Sequence, residues 1–213
     1  MLASKTDAYV YNVGVGSCQM SEHSTEKYNA FSMEKLADAI TTGNFDLRDG
    51  IVAGGTAPVA FTRCLNTLKS IDFRTVDIIT IAYGTNDFKN GKSLEEVEAA
   101  ARYSIETVKN KYPNIEIVLC TPVYRYWIDE NGDFLEDSNT KEINGIKLTQ
   151  YVQLYQKLGE EYGLAVIDNY NGSGINAQNR ADCFDGADTT HPNEAGRQLI
   201  AENMAKELTA YFG

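Results

Sequence analysis

The sequence predicts an α/β protein with a three-layer, flavodoxin-like architecture, in which a parallel sheet carries helices on both of its faces. Short apolar segments alternate along the chain with longer segments whose apolar residues recur at helical spacing. The strand-like segments are apolar on both faces, as the strands of a buried parallel sheet are. Internal repeats and low-complexity linkers are absent from the sequence. We therefore expect a single domain over residues 1–213.

In the first half of the chain, apolar periodicity predicts two strands and two helices: strands at residues 9–13 and 76–82, helices at residues 31–40 and 61–68. The second of these strands is β-branched and almost wholly apolar, which is typical of a strand buried on both faces. Ser93, followed three residues later by Glu96, is a capping box and predicts the start of a further helix.

The second half is predicted to contain two strands and a long helix: strands at residues 115–120 and 164–167, and a helix at residues 148–162. Gly163 marks the end of that helix, and Asn193 can cap a last one. Residues 124–143 are irregular. Their centre, Glu-Asn-Gly-Asp at residues 130–133, is typical of a type I′ turn, so we expect an inserted hairpin there.

Composition excludes several classes of partner. The 213 residues carry 30 acidic and 19 basic side chains, a formal net charge of −11, and the basic residues form no cluster. This argues against nucleic acid or an anionic membrane as a partner. No apolar run reaches the length of about 18 residues that a membrane span needs. The four cysteines are widely spaced without a C-x-x-C pair, which predicts neither a zinc site nor a disulfide framework.

Two polar motifs stand where strands end, which is where open α/β sheets bind ligands. The first is the Gly-Thr-Asn-Asp turn at residues 84–87. Gly84 lets the backbone approach a ligand closely, and the Asn86 amide can donate to developing negative charge. In the second, Asp188 precedes His191 by three residues, so its carboxylate can contact ring Nδ1 and leave Nε2 free as a base. Each motif alone also fits a structural interpretation, a polar turn or a helix cap beside a solvated histidine.

Together, in this order on a parallel-sheet pattern, the two motifs resemble blocks III and V of the SGNH (GDSL-like) hydrolase family. Residues 12–17, Asn-Val-Gly-Val-Gly-Ser, resemble its block II, and Thr121-Pro122 is also similar to that family. The resemblance extends over nearly the whole chain, from about residue 9 to residue 212.

The resemblance implies a catalytic role for several residues. His191 would be the general base, Asp188 the acid that orients it, and Asn86 a side chain of the oxyanion hole. The backbone N–H groups of Gly16 and Ser17 would complete that hole. The family's chemistry implies neither a metal nor an organic cofactor.

The sequence departs from the family pattern at two places. Ser17 stands where block II usually has a glycine, and its side chain narrows the space for the oxyanion. The family's nucleophile motif, Gly-Asp-Ser, does not occur in the 213 residues. We therefore expect the chain to begin inside the helix that follows block I, that is, to be N-terminally truncated.

A rival alignment needs no lost residues. It takes residues 9–15 as the first strand, Ser17 as the nucleophile and residues 51–55 as a degenerate block II.

The N-terminal residues lack the apolar segment of a signal peptide. Upstream residues, if present, could contain such a segment, so the sequence does not decide between a cytoplasmic and a secreted protein.

The leading functional hypothesis is a serine ester hydrolase that acts on small acyl esters, with acetylated carbohydrate as one candidate. The alternative is a catalytically silent module of the same fold that binds a carbohydrate or a protein partner, which the missing nucleophile motif favours. Gly84, Tyr126 and Trp127 are candidates for facing the substrate, although the two aromatic residues could equally pack on the domain. The sequence indicates no oligomeric state.

Overall fold

A computed structural model describes residues 2–55 and 57–213 and contains the predicted parallel sheet flanked by helices. Its strands are β1 (Ile78–Ile81), β2 (Glu116–Cys120) and β7 (Ala165–Ile167), in the order β1-β2-β7. The chain forms two compact units. The first is Tyr11–Val118, and the second combines Met1–Val10 with Leu119–Gly213.

The first unit is mainly helical outside the sheet. Its helices are α1 (Glu26–Asn29), α2 (Met33–Thr42), α3 (Asp46–Ala53), α4 (Val59–Ser70), a 3-10 turn (Phe73–Thr75), α5 (Thr85–Lys89) and α6 (Leu94–Lys111). The capping box is confirmed, because the Ser93 hydroxyl accepts from the Glu96 backbone N–H and the Glu96 carboxylate from that of Ser93. The unit's core is formed by Cys18, Ala30, Phe31, Leu36, Ile40, Phe61, Cys64, Leu65 and Leu68.

The predicted strand at residues 9–13 is wrong, since the backbone there forms neither strand nor helix. Val13 and Val15 are instead partly buried against the core of the first unit. The rival alignment loses its first strand for the same reason. Its degenerate block II is also wrong, because residues 51–53 belong to helix α3.

The second unit contains the remaining elements: a 3-10 turn (Leu2–Ser4), β3 (Tyr126–Ile128), β4 (Phe134–Asp137), β5 (Glu142–Ile143), β6 (Ile146–Lys147), α7 (Leu148–Tyr162), α8 (Asn169–Gly172), α9 (Arg180–Cys183) and α10 (Glu194–Phe212). Helix α7 ends as predicted at Gly163, which adopts a left-handed conformation with φ 65°. Asn193 caps α10, because its side-chain oxygen accepts from the Gly196 backbone N–H. Near the hairpin, the buried core consists of Tyr124, Tyr126, Ile175, Cys183 and Phe184.

Residues 126–137 form the predicted hairpin, with β3 and β4 antiparallel, but its turn is not type I′. That turn requires positive φ at both central residues, and only Gly132 (φ 88°) has it. Instead the Asp129 carboxylate accepts from the backbone N–H groups of Asn131 and Asp133. The Asp129 side chain therefore organises a longer loop, which the dipeptide Asn-Gly alone does not reveal.

All four cysteines are buried and free. Burial raises the pKa of Cys18 and of Cys120 to about 12, so both are inert thiols at neutral pH. Among the described residues, no helix is both long and apolar enough to cross a membrane.

Candidate active site

Asp188 and His191 lie in contact in the second unit. The Asp188 carboxylate is 2.9 Å from His191 Nδ1, and the same carboxylate accepts from the His191 backbone N–H at 2.9 Å. The two side chains are 48% and 78% exposed, so the far edge of the imidazole, with Nε2, is open to solvent. A carboxylate on Nδ1 fixes the ring proton on that nitrogen and leaves Nε2 as an acceptor. The pair thus has the form of a base with its orienting acid.

The loop that carries this pair is held at both ends. On one side, the Tyr126 backbone N–H donates to the Thr189 carbonyl at 3.3 Å. On the other, the Asn193 side chain donates to the Asp182 carbonyl and to the Asp185 carboxylate. Helix α10 begins directly after it. The loop is therefore positioned by the hairpin and by a helix start.

Hydrogen bonding favours the ionised form of Asp188. The backbone N–H of His191, with smaller contributions from the His191 ring and the Thr190 backbone N–H, lowers the pKa of the Asp188 carboxyl. Asp188 therefore keeps its charge further into the acid range than an ordinary aspartate does. In the part of the chain that the structure describes, no group of three or more His, Cys, Asp or Glu side chains is placed to hold a metal ion.

Asn86 lies in the first unit, in the short helix α5 that follows β1. Gly84 precedes this helix with φ 107°, a backbone conformation that a residue with a side chain rarely adopts. The Asn86 amide nitrogen donates one hydrogen bond to the Cys18 carbonyl at 2.9 Å. Because an amide nitrogen carries two hydrogens, the second remains available for a ligand.

Asp87 has a role that the sequence interpretation did not assign. Its side chain is fully buried, and its carboxylate accepts from the backbone N–H groups of Met20 and Ser21 and from the Ser21 hydroxyl, at 2.8 to 3.0 Å. Burial raises the pKa of this carboxyl, while the three hydrogen bonds oppose the shift. Asn86 and Asp87 together hold the segment 18–21, directly after Gly16 and Ser17.

Ser17 adopts the backbone conformation of a glycine. Its φ is 67°, one of only two positive values among the described residues that are not glycine. Glycine is the residue that adopts such a φ without strain. A side chain in the left-handed region costs about 1–2 kcal/mol, so Ser17 stores local strain.

We expect Ser17→Gly to raise the free energy of unfolding by about 1 kcal/mol, because glycine adopts this φ without strain. Urea denaturation of the two proteins measures the difference. Ser17→Ala is the control: it removes the hydroxyl but keeps the strained Cβ, so it should bring no gain. If Ser17→Gly and Ser17→Ala had the same free energy of unfolding, the claim that Ser17 is strained would be wrong.

The hairpin aromatic residues are placed differently from one another. Tyr126 is buried, and its ring packs edge-on against Phe184 with the ring centroids 5.5 Å apart. Its side chain therefore contributes to the core beside the hairpin and does not line an open surface. Trp127 is half-buried and lies over the Arg125 guanidinium at 4.6 Å. Sequence reasoning named the aromatic residues and missed Arg125, although a charge within an aromatic run was a signal.

The structure therefore brings Asp188 and His191 together in one unit. In the other unit it ties Asn86 to the segment that follows Gly16 and Ser17.

Comparison with known proteins identifies the family. The model described as the GDSL-like Lipase/Acylhydrolase family matches residues 7–199. The native aryl esterase of M. smegmatis is 16% identical with a TM-score of 0.58, over 98% of this chain and 82% of that chain. Est24, a carbohydrate acetylesterase from Sinorhizobium meliloti, is 13% identical with a TM-score of 0.53, over 93% and 77%. A Lactobacillus plantarum protein is 20% identical with a TM-score of 0.54, over 66% and 70%.

These identities support a shared fold, and a comparison with curated proteins gave no significant match. The family model, in contrast, spans most of the sequence and includes all the residues of both motifs. The chain therefore belongs to the GDSL-like lipase/acylhydrolase family.

Proposed function

We propose that the protein is a serine-type ester hydrolase for small acyl esters, with acetylated carbohydrate as its natural substrate class. The observation that carries this proposal is the contact between the Asp188 carboxylate and His191 Nδ1 beside an open Nε2. Family membership supports acyl hydrolysis in general. The fold is shared with Est24, a carbohydrate acetylesterase, and this supports the finer substrate class.

In the proposed mechanism, His191 Nε2 removes the proton from the attacking serine hydroxyl and later returns it to the leaving alcohol. Asp188 keeps the second ring proton on Nδ1 and stabilises the imidazolium that forms. The free N–H of Asn86 and the backbone N–H groups of Gly16 and Ser17 would receive the negative charge on the carbonyl oxygen.

The attacking hydroxyl belongs, by family resemblance, to the serine of Gly-Asp-Ser, which the 213 residues do not contain. The proposal for this chain therefore concerns the base, its acid and the oxyanion donors. Ser17→Gly separates this assignment from the rival one. Glycine retains the backbone N–H, so Ser17→Gly should retain hydrolysis under the present assignment. If Ser17 were the nucleophile, Ser17→Gly would abolish hydrolysis.

Asn86→Ala tests the oxyanion assignment. In the protein that releases acetate from an acetylated xylo-oligosaccharide, we expect kcat to fall about 10²–10³-fold, or about 3 kcal/mol, with little change in KM. The bond to the oxyanion forms fully only in the transition state, so the loss appears in kcat. Asn90→Ala, an exposed residue at the end of the same helix, is the matched control and should leave kcat unchanged.

A change confined to KM would instead make Asn86 a residue that positions substrate. The Cys18 carbonyl also loses its donor in this variant, so the free energy of unfolding should be measured beside the kinetics.

The alternative, a silent module that binds carbohydrate, is favoured by one observation, the absence of Gly-Asp-Ser from the sequence. It predicts that the protein binds acetylated xylo-oligosaccharide in calorimetry and releases no acetate even when a strand ending in Gly-Asp-Ser is added before residue 1. His191→Ala should then leave that binding unchanged, because a base has no role in a silent module.

A further inference from the structure

Arg125, in the second unit, is a buried cation that lacks partners for part of its guanidinium. The residue is 6% exposed, and its Nε and Nη1 atoms are buried without a hydrogen-bond partner in the described part of the chain. Arg180 provides a contrast in the same unit. Its guanidinium also lies over a hairpin ring, that of Phe134 at 4.3 Å, but it donates to the Ala177 carbonyl.

The position of Arg125 is set by its backbone. Its N–H donates to the Ser138 hydroxyl at 3.2 Å, and its carbonyl accepts from the Ser138 backbone N–H at 2.9 Å. The next residue, Tyr126, donates its backbone N–H to Thr189, which adjoins Asp188. Arg125 is thus fixed at the base of the hairpin, next to the loop of the proposed catalytic pair.

The surroundings leave Arg125 charged and poorly compensated. Burial lowers the pKa of its guanidinium to about 10, and the charge of Asp188 opposes this shift. A pKa of about 10 is above neutral pH, so the side chain stays protonated. The face of Trp127, 4.6 Å from the guanidinium, offers attraction but no hydrogen-bond acceptor. A buried guanidinium with two unsatisfied nitrogen donors destabilises a fold, and a ligand that accepts from those donors is one explanation for its presence.

We propose that Arg125 binds a carboxylate of the substrate, so that the protein is selective for esters that carry a carboxylate near the scissile bond. The planar fork of a guanidinium matches a carboxylate in two parallel hydrogen bonds. A single cation with the Asp188 carboxylate nearby suits one negative charge and disfavours a phosphate dianion. Because Nε and Nη1 of Arg125 are buried beside Trp127, the proposal requires the Trp127 ring to rotate when the ligand binds.

This inference deepens the proposed function, and a binding test keeps the two separable. Trp127 is the only tryptophan in the chain, so the intrinsic fluorescence at 295 nm excitation reports on this place alone. We would titrate the 213-residue protein with monomethyl succinate, an ester that carries a carboxylate, and with the neutral dimethyl succinate. The expected result is a saturable fluorescence change with the charged ester and at least tenfold weaker binding of the neutral one.

The variants assign the effect to Arg125. Arg125→Gln should weaken binding of monomethyl succinate at least tenfold, whereas the matched control Arg180→Gln should bind it as the wild type does. No saturable change in the wild type, equal binding of the two esters, or an unchanged affinity in Arg125→Gln would each overturn the proposal. Preference for methyl phosphate over monomethyl succinate would overturn it as well.

Stability supplies a second test that does not depend on the glutamine variant. Removing a buried, unpartnered charge should stabilise the fold, so Arg125→Met is expected to raise the melting temperature by about 2–4 °C while it abolishes the response to monomethyl succinate. A lower melting temperature would show that Arg125 is a satisfied structural residue and would overturn the proposal. Carboxylate binding without acetate release from any ester, in a protein to which a strand ending in Gly-Asp-Ser has been added, would contradict the proposed function alone. Hydrolysis of 4-nitrophenyl acetate without carboxylate selectivity would contradict this inference alone.

Discussion

Replacing His191 with alanine should lower kcat for ester hydrolysis by about 10⁴-fold or more, because the general base acts in both proton transfers of the proposed mechanism. KM should change little, since the base contributes to the transition state rather than to substrate binding. Steady-state kinetics with 4-nitrophenyl acetate, in the hydrolytically active protein, measures both parameters.

The chain provides a matched control for this prediction, because His23 is its only other histidine. His23 Nδ1 accepts from the Thr25 backbone N–H, and its ring packs at a tilt of 58° against Tyr28 with the centroids 5.0 Å apart, so it has a local structural role. His23→Ala should leave kcat within about twofold of the wild type. Equal kcat in the wild type and in His191→Ala would contradict the catalytic pair.

Asp188→Asn should lower kcat by about 10⁴-fold with little change in volume or fold. An asparagine amide would donate to Nδ1, which would then have to accept, so the ring proton would move to Nε2. The nitrogen that faces the substrate would no longer be a base. Kinetics on the same ester, together with a circular-dichroism melt to verify folding, measures the effect.

Asp182→Asn is the control for this variant, since Asp182 is exposed on α9 in the same region. It makes the same chemical change to an aspartate away from the imidazole and should leave kcat unaltered. If Asp188→Asn retained kcat within tenfold, Asp188 would serve the loop structure and not the tautomer of His191.

The sequence predicts well those features, such as helix ends, that depend on residues close together in the chain. The Ser93 capping box, Gly163 at the end of α7 and Asn193 at the start of α10 each depend on a few neighbouring residues, and each is confirmed. The contact of Asp188 with His191 is of the same kind, because a spacing of three residues within one loop is sufficient to bring the two side chains together.

Features that depend on distant partners escape this approach. The apolar run at residues 9–13 predicts a strand, but Tyr9, Val10 and Tyr11 are exposed. A strand also needs a neighbouring strand with which to pair, and no local pattern encodes that neighbour. The Asp87 carboxylate bonds to backbone groups 66 and 67 residues earlier in the chain, so its role becomes visible only in the fold. Arg125 is similar, since the lack of partners is a property of its surroundings and not of its residue type.

The bonds from Asp87 to Met20 and Ser21 have a consequence for how this protein can change by mutation. Helix α5 and the segment 18–21 share one buried carboxylate, so substitutions in either part should show strong epistasis rather than add. A library that varies only helix α5 or only the segment 18–21 would mostly contain variants in which a buried charge or a buried backbone N–H has lost its hydrogen-bond partner. The hairpin around Trp127 belongs to the other compact unit and lies outside this constraint. Diversification of substrate preference, in evolution or in the laboratory, therefore has an easier route through the hairpin than through residues 18–21.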